Sequence, residues 1–157
     1  MNDMQLNGRS WSRAIGIGVG VSLLITVFMV IMTKAGISPF PKPPSLAFAE
    51  TILGKKLPLP VGILFHLVYV TFWSTVFIRF FPQRNLKTAL ALGGALWIVI
   101  LAVFFPIVGW GFAGTHISPK LIPASFMPHL LFGLLLWIMD KKLLRKTVSA
   151  STQSGHA

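Results

Sequence analysis

The chain has no cysteine, three acidic residues and one tyrosine among its 157 positions. Without cysteine there is no disulfide, no thiolate nucleophile, no cysteine-ligated iron–sulfur cluster and no covalent c-type haem attachment. The three carboxylates are Asp3, Glu50 and Asp140. Asp3 stands in the N-terminal tail and Asp140 follows the last apolar run, so the paired acids of glycosidases and the ligand sets of two-metal hydrolases find no partners. Charged residues make up 11% of the chain against 54% hydrophobic. That balance lies outside the soluble range and marks an integral membrane protein.

What the sequence does have is four apolar runs without Asp, Glu, Lys or Arg, at 14–33, 57–78, 88–110 and 121–139. Each is close to the roughly 20 residues that a spanning helix needs. The expected fold class is therefore all-α, a four-helix transmembrane bundle forming one domain over 1–157. The first run follows Arg9 and Arg13, as a secretory signal would, but it is too long for an h-region and no A-x-A site follows, so it reads as a retained helix. Its GIGVG at 16–20 lacks the spacing and the preceding strand of a nucleotide loop. The reading is close helix packing through Gly16 and Gly20.

Basic residues set the expected orientation. Arg9, Arg13, Arg79, Arg84, Lys87, Lys141, Lys142, Arg145 and Lys146 put nine on one side; Lys34, Lys42, Lys55, Lys56 and Lys120 put five on the other. Both termini are expected to be cytoplasmic. A net charge of +11 is concentrated at span ends, which fits a bilayer with anionic headgroups and not a nucleic acid. The segment 141–157 starts basic and turns small and polar, a composition expected to be disordered, with His156 solvated in it.

The segment 34–56 is the long external loop. SPFPKPPS at 38–45 carries four prolines, which forbid a regular helix and give a stiff extended strap. SLAFAETILG at 45–54 then offers Ser45 as a cap, a short helix on the membrane surface, and Gly54 as its terminator. Leu46, Glu50 and Leu53 would share one face. Two readings of Glu50 stand: a headgroup-level pair with Lys55 or Lys56, or a carboxylate turned into the bundle mouth.

The most informative feature is a repeated pattern. LPVGILFHL at 59–67 is echoed by IPASFMPHL at 122–130, a proline followed six residues later by His66 in one copy and His129 in the other. The second and fourth spans run in the same direction, so both imidazoles should lie roughly 9 Å below their helix starts. Gly62, His66, Tyr69 and Trp73 share a face with small residues, as do Ser125, His129 and Gly133, so both histidines should look inward. A polar group at membrane depth is a functional candidate by default. Three readings stand: structural histidines bonded to neighbours, a haem b or divalent-metal site, or a proton or solute pathway in an oligomer. For a metal, His116 and Glu50 could add to His66 and His129 from the loops; for haem, His66 and His129 would be the axial ligands. Pro128 deprives the Ala124 carbonyl of its helical partner, and His129 or a water is expected to take that carbonyl. Ser125 and His129 lack an orienting acid and an oxyanion hole, so they are not read as a hydrolase pair. Trp110 and Phe112 suit an interfacial aromatic belt, and His116 an exposed loop.

LKTALALGGALW, FFPIVG and IPASFMPHLLFGLLLW, together with the proline-rich loop and FHLVYVTFWSTVF, resemble the small YagU-type inner-membrane proteins of bacteria over 60–142. The resemblance maps onto Phe105, Pro106, Gly109, His129, Leu130, Gly133 and Trp137. The family pattern places a histidine in the third span where this chain has Leu101. The resemblance implies a bacterial inner membrane. With catalytic residues scarce, the expected role is non-enzymatic, that of an accessory subunit or envelope-stress factor, working as a homo-oligomer or within a larger membrane complex.

Overall fold

The computed structural model describes residues 3–144, with side chains from 11 to 142. The tail beyond 144, including His156, and the side chain of Asp3 lie outside the described residues. Six α-helices follow in order among the described residues: α1 (Asp3–Lys34), α2 (Pro44–Leu53), α3 (Leu59–Phe80), α4 (Leu86–Val99), α5 (Phe105–Ile107) and α6 (Leu121–Met139). There is no strand among the described residues. Four segments are long and apolar enough to cross a membrane: Trp11–Lys34, Leu59–Phe80, Leu86–Ile107 and Leu121–Lys142. Their outward faces carry Leu23, Val27, Val68, Phe72, Ile98 and Leu134, all exposed, as expected where lipid replaces water.

Prolines and short polar residues decide where the spans begin and end. α3 starts after Pro58 with Pro60 in its first turn, where the missing N–H is no loss. α4 begins two residues before the expected 88, because Asn85 and Thr88 form a reciprocal cap. The Thr88 N–H donates to Asn85 Oδ1 at 3.0 Å and the Asn85 N–H to Thr88 Oγ1 at 3.1 Å. At its other end α4 widens into a π-turn, Ile100–Phe104, which ends two residues before Pro106. A proline ring crowds the carbonyl four residues earlier, and the wider turn relieves that crowding. The helix stops at Ile107, short of the expected 110.

Close contact between backbones organises the bundle in pairs. A β-carbon on Gly93 of α4 would lie 2.5 Å from the carbonyl oxygen of His129 on α6, and one on Gly133 would lie 2.8 Å from that of Ala89. α1 meets α3 at Gly18, whose β-carbon would stand 2.8 Å from the Thr71 Cα. This corrects the expectation of packing through Gly16 and Gly20. Gly16 faces open space, and Gly20 touches only the flexible end of Met139. α1 also packs on α6, while α3 and α4 barely touch. The core of the bundle is formed by Val21, Ile25, Phe77, Leu92, Phe132 and Leu136, among others.

The end of the bundle that carries the 35–58 connection, here called the strap end, has its own small core of Ala47, Phe105, Trp110 and Leu121. Phe40 of the strap stacks on Trp110 with centroids 6.2 Å apart and leans on Phe105 at 6.3 Å. Trp110 is therefore buried under the strap, at 6% exposure, instead of sitting in an interfacial belt; Phe112 is exposed as expected. α2 is capped by Pro43 with Pro44 at its first position, and Ser45 falls inside the helix. Gly54 ends it in a left-handed conformation, φ 63°. The buried face of α2 is Leu46, Ala47 and Ala49, with Leu46 seated on Gly62 of α3, while Leu53 points outward. At the opposite end Arg84 reaches from the α3–α4 turn to the buried Asp140, 3.3 Å away, and donates to the Ile78 carbonyl. A short turn is thereby tied to the end of α6.

The glycine crossings make a direct prediction. Gly93→Ala must displace backbone and should destabilise the protein by about 1–3 kcal/mol. Gly94→Ala enters open space and should be neutral or stabilising by up to about 1 kcal/mol. Thermal unfolding in detergent, followed by circular dichroism, compares the two; equal shifts would contradict the crossing.

Candidate functional site

A cavity of about 520 Å³ occupies the strap half of the bundle, between the C-terminal turns of α1, the first half of α3, the π-turn end of α4 and the first half of α6. The strap and Phe48 of α2 border it. It exists because the two glycine-tight pairs, α1 with α3 and α4 with α6, leave α3 and α4 apart. Aromatic side chains bridge that gap. Tyr69 meets Phe104 at 5.6 Å and Phe48 stacks on Phe104 at 4.4 Å. Ile100 and Phe104, the first and last residues of the π-turn, both line the wall. Toward the other end Phe77, Leu92 and Leu136 are buried in the core.

His66 and His129 both line this cavity, from α3 and α6 respectively. They stand seven and eight residues into their helices, hence roughly 10–12 Å deep and on one level. The repeated pattern thus corresponds to real convergence. The expected wall residues Tyr69, Trp73 and Ser125 are present beside them.

The two imidazoles are not equivalent. His129 Nδ1 lies 2.7 Å from the Ser125 carbonyl oxygen. A carbonyl only accepts, so Nδ1 carries the proton and a neutral ring offers its Nε2 lone pair. The expected acceptor was the Ala124 carbonyl freed by Pro128; the ring instead takes the next carbonyl along. Ser125 is fixed in turn, its hydroxyl donating to the Ile122 carbonyl at 3.0 Å and accepting from Trp97 Nε1 at 3.1 Å. His66 has no such support. Its Nε2 is buried without a hydrogen-bond partner, a condition that costs about 1–3 kcal/mol per polar group.

The wider metal set does not assemble. No three potential ligands among the described residues come together. His116 is exposed in the 108–120 connection, its ring against Gly111. Glu50 is outside the cavity wall. Its carboxylate pairs with Lys42 of the strap and accepts the Leu57 N–H at 3.1 Å, closing 42–57 into a loop. Neither reading of Glu50 foresaw this, since the ion-pair partner is Lys42 and the loop's own amide completes the site. Among the wall residues, Lys34, Lys42, Phe48 and Phe104 escaped sequence reasoning. Pro106 was the one available signal for the π-turn. No family model, curated protein or solved structure matches the chain.

The Lys42 ammonium, and then the Leu57 amide, hold the Glu50 carboxyl below the ordinary carboxylate range. A depressed folded pKa means that the loop's stabilisation is full above the ordinary value and fades as pH falls through the lowered one. Glu50→Gln should therefore speed amide exchange at Leu57 and along the strap at neutral pH. The difference from the parent protein should shrink at acid pH. Hydrogen exchange read by mass spectrometry checks this; equal exchange at neutral pH would contradict the latch.

Proposed function

We propose that this chain is a non-enzymatic multi-pass protein of a bacterial inner membrane that holds a small amphipathic molecule in the cavity at its strap end, as an accessory subunit or stress factor. The observation that carries the reading is that His66, whose Nε2 is buried without a hydrogen-bond partner, lines one cavity together with His129. About 520 Å³ falls within the roughly 300–1,000 Å³ of small-molecule sites, which pair apolar walls with a few placed polar groups. A histidine kept only for packing would be expected to have a partner, as His129 does. The inner-membrane assignment rests on the YagU-type resemblance, and the orientation on basic residues, nine beside the termini and the 81–85 turn against five at the strap end. The strap end then faces outward.

A second reading has one specific observation in its favour. The hydrogen bond from His129 Nδ1 to a backbone carbonyl is the arrangement that orients histidine ligands and leaves Nε2 for a metal. With His66 opposite, haem b with two axial imidazoles is the form this reading takes. A proton or solute pathway would require an oligomer, since the core closes the space below the cavity within one chain.

Organic extraction and mass spectrometry of protein purified in mild detergent test the main reading. A small amphiphile should accompany the parent protein and be depleted in His66→Leu, whose ligand-free stability should be unchanged or raised by up to about 3 kcal/mol, because no hydrogen bond is lost and a stranded nitrogen is removed. Loss of more than about 3 kcal/mol with no change in bound material would make His66 structural and sink the reading. A Soret band abolished by either His66→Leu or His129→Leu would select haem; a colourless protein removes that reading.

Orientation is tested separately. Reporter fusions at residue 84 and after residue 146 should score cytoplasmic, and one at residue 42 external. An external C-terminus would overturn the assignment.

A further inference from the structure

The rim and the floor of the cavity differ in charge. Lys34, the last residue of α1, and Lys42 of the strap both line the rim, with the hydroxyl-bearing Ser38 and Ser45 beside them. No acidic side chain lines the cavity anywhere. Glu50 offsets Lys42 through their ion pair. Lys34 has no carboxylate partner among the described residues. The rim is therefore left with a net positive charge above walls of Ile25, Met29, Ile63 and Phe132. A lysine at the end of a span is common in itself. What sets this pair apart is that both ammonium-bearing chains border one apolar cavity.

Resting on the ligand-binding reading above, we propose that the occupant is an anionic single-chain amphiphile of fatty-acid size. Its carboxylate lies at the rim beside Lys34 and the Lys42–Glu50 pair, and its chain runs down the apolar wall to the histidine level, where a chain hydroxyl or carbonyl supplies the His66 Nε2 with its partner. Charge complementarity selects the anion, since the Lys34 ammonium is left uncompensated beside the Lys42–Glu50 pair and no acidic side chain lines the cavity. The cavity volume selects one chain over a whole two-chain phospholipid. The depth supplies the direction, because the apolar wall residues continue below the rim to the histidine level.

Trp73 lines the cavity near its floor and provides a built-in reporter. The full-length protein in phosphatidylcholine nanodiscs at pH 8 is titrated with a fatty acid brominated near its methyl end, and in parallel with its methyl ester. Bromine quenches indole at contact, and Trp73→Phe isolates the contribution of this one residue. Saturable, Trp73-dependent quenching is expected for the acid, with the ester binding more weakly. Lys34→Gln should raise the apparent Kd of the acid roughly three- to tenfold, the range for a solvent-exposed charge contact up to a better-ordered one, and leave the ester unchanged. Equal affinity for acid and ester, or no effect of Lys34→Gln, would overturn the anionic occupant while leaving a ligand cavity in place. Absence of saturable Trp73-dependent quenching by either probe would overturn both this inference and the reading beneath it.

Discussion

The crossing of α4 over α6 at Gly93 and Gly133 is the contact on which the rest of the molecule depends. Two backbones can approach this closely only where both lack a side chain, and in lipid such packing replaces the hydrophobic drive that water would provide. The carbonyl that Gly93 admits belongs to His129 itself. The crossing therefore fixes the height of the histidine as well as the position of the helix. A second tight pair forms where Gly18 meets Thr71. Two close pairs linked through α1 and α6 leave the fourth side of the ring under-filled, and the cavity is that side. Aromatic rings span it because nothing smaller would reach.

Accounting for polar groups separates structure from site. Thr26, Thr33, Thr51 and Thr75 each donate to the carbonyl four residues earlier, the usual way for a hydroxyl to be satisfied within a helix. Ser125, Trp97 and His129 satisfy one another and the α6 backbone. Ser22, Thr71 and Ser74 are buried without partners on their hydroxyls. Thr71 and Ser74 flank the Gly18 contact, and Ser22 is one turn further along α1, so their small size explains their presence. His66 cannot be explained that way. An imidazole is large, and a leucine would fill the same space without a stranded nitrogen.

Span number, span limits to within a few residues and the two histidines were legible in the sequence, because length, proline and a repeated motif are local signals. The contacts that shape the site were not. In a lipid-solvated helix nearly every face is apolar, so nothing in GIGVG distinguishes Gly18 from its neighbours; the partner helix makes the choice. Glu50 found Lys42 eight residues before it because the proline strap doubles back, a path that the sequence shows as stiff but not as folded. Trp110 left the interface for the same reason, since Phe40 of the strap covers it. The tie from Arg84 to Asp140 joins residues far apart in sequence whose individual readings were a topology count and a helix end. Asn85 was within reach of sequence reasoning, as a capping residue with Thr88 three positions on, but the apolar run that begins at 88 drew the boundary past it.

The two copies of the proline–histidine pattern end in different physical situations. In α6 a second proline, Pro128, loosens the helix just before the histidine, and the ring bonds back onto its own helix while the serine one turn earlier is held by Trp97. That copy is an anchored imidazole with one nitrogen committed. In α3 the residue before the histidine is Phe65, the helix is unbroken, and Gly62 one turn earlier is occupied by Leu46 of α2. No serine stands there to pin the ring. The same motif thus yields one histidine whose orientation is set by the protein and one whose Nε2 has no partner. A site built from such a pair has a fixed side and an adaptable side. A bound molecule that reaches the stranded His66 Nε2 removes its cost, which couples occupancy of the cavity to the stability of α3.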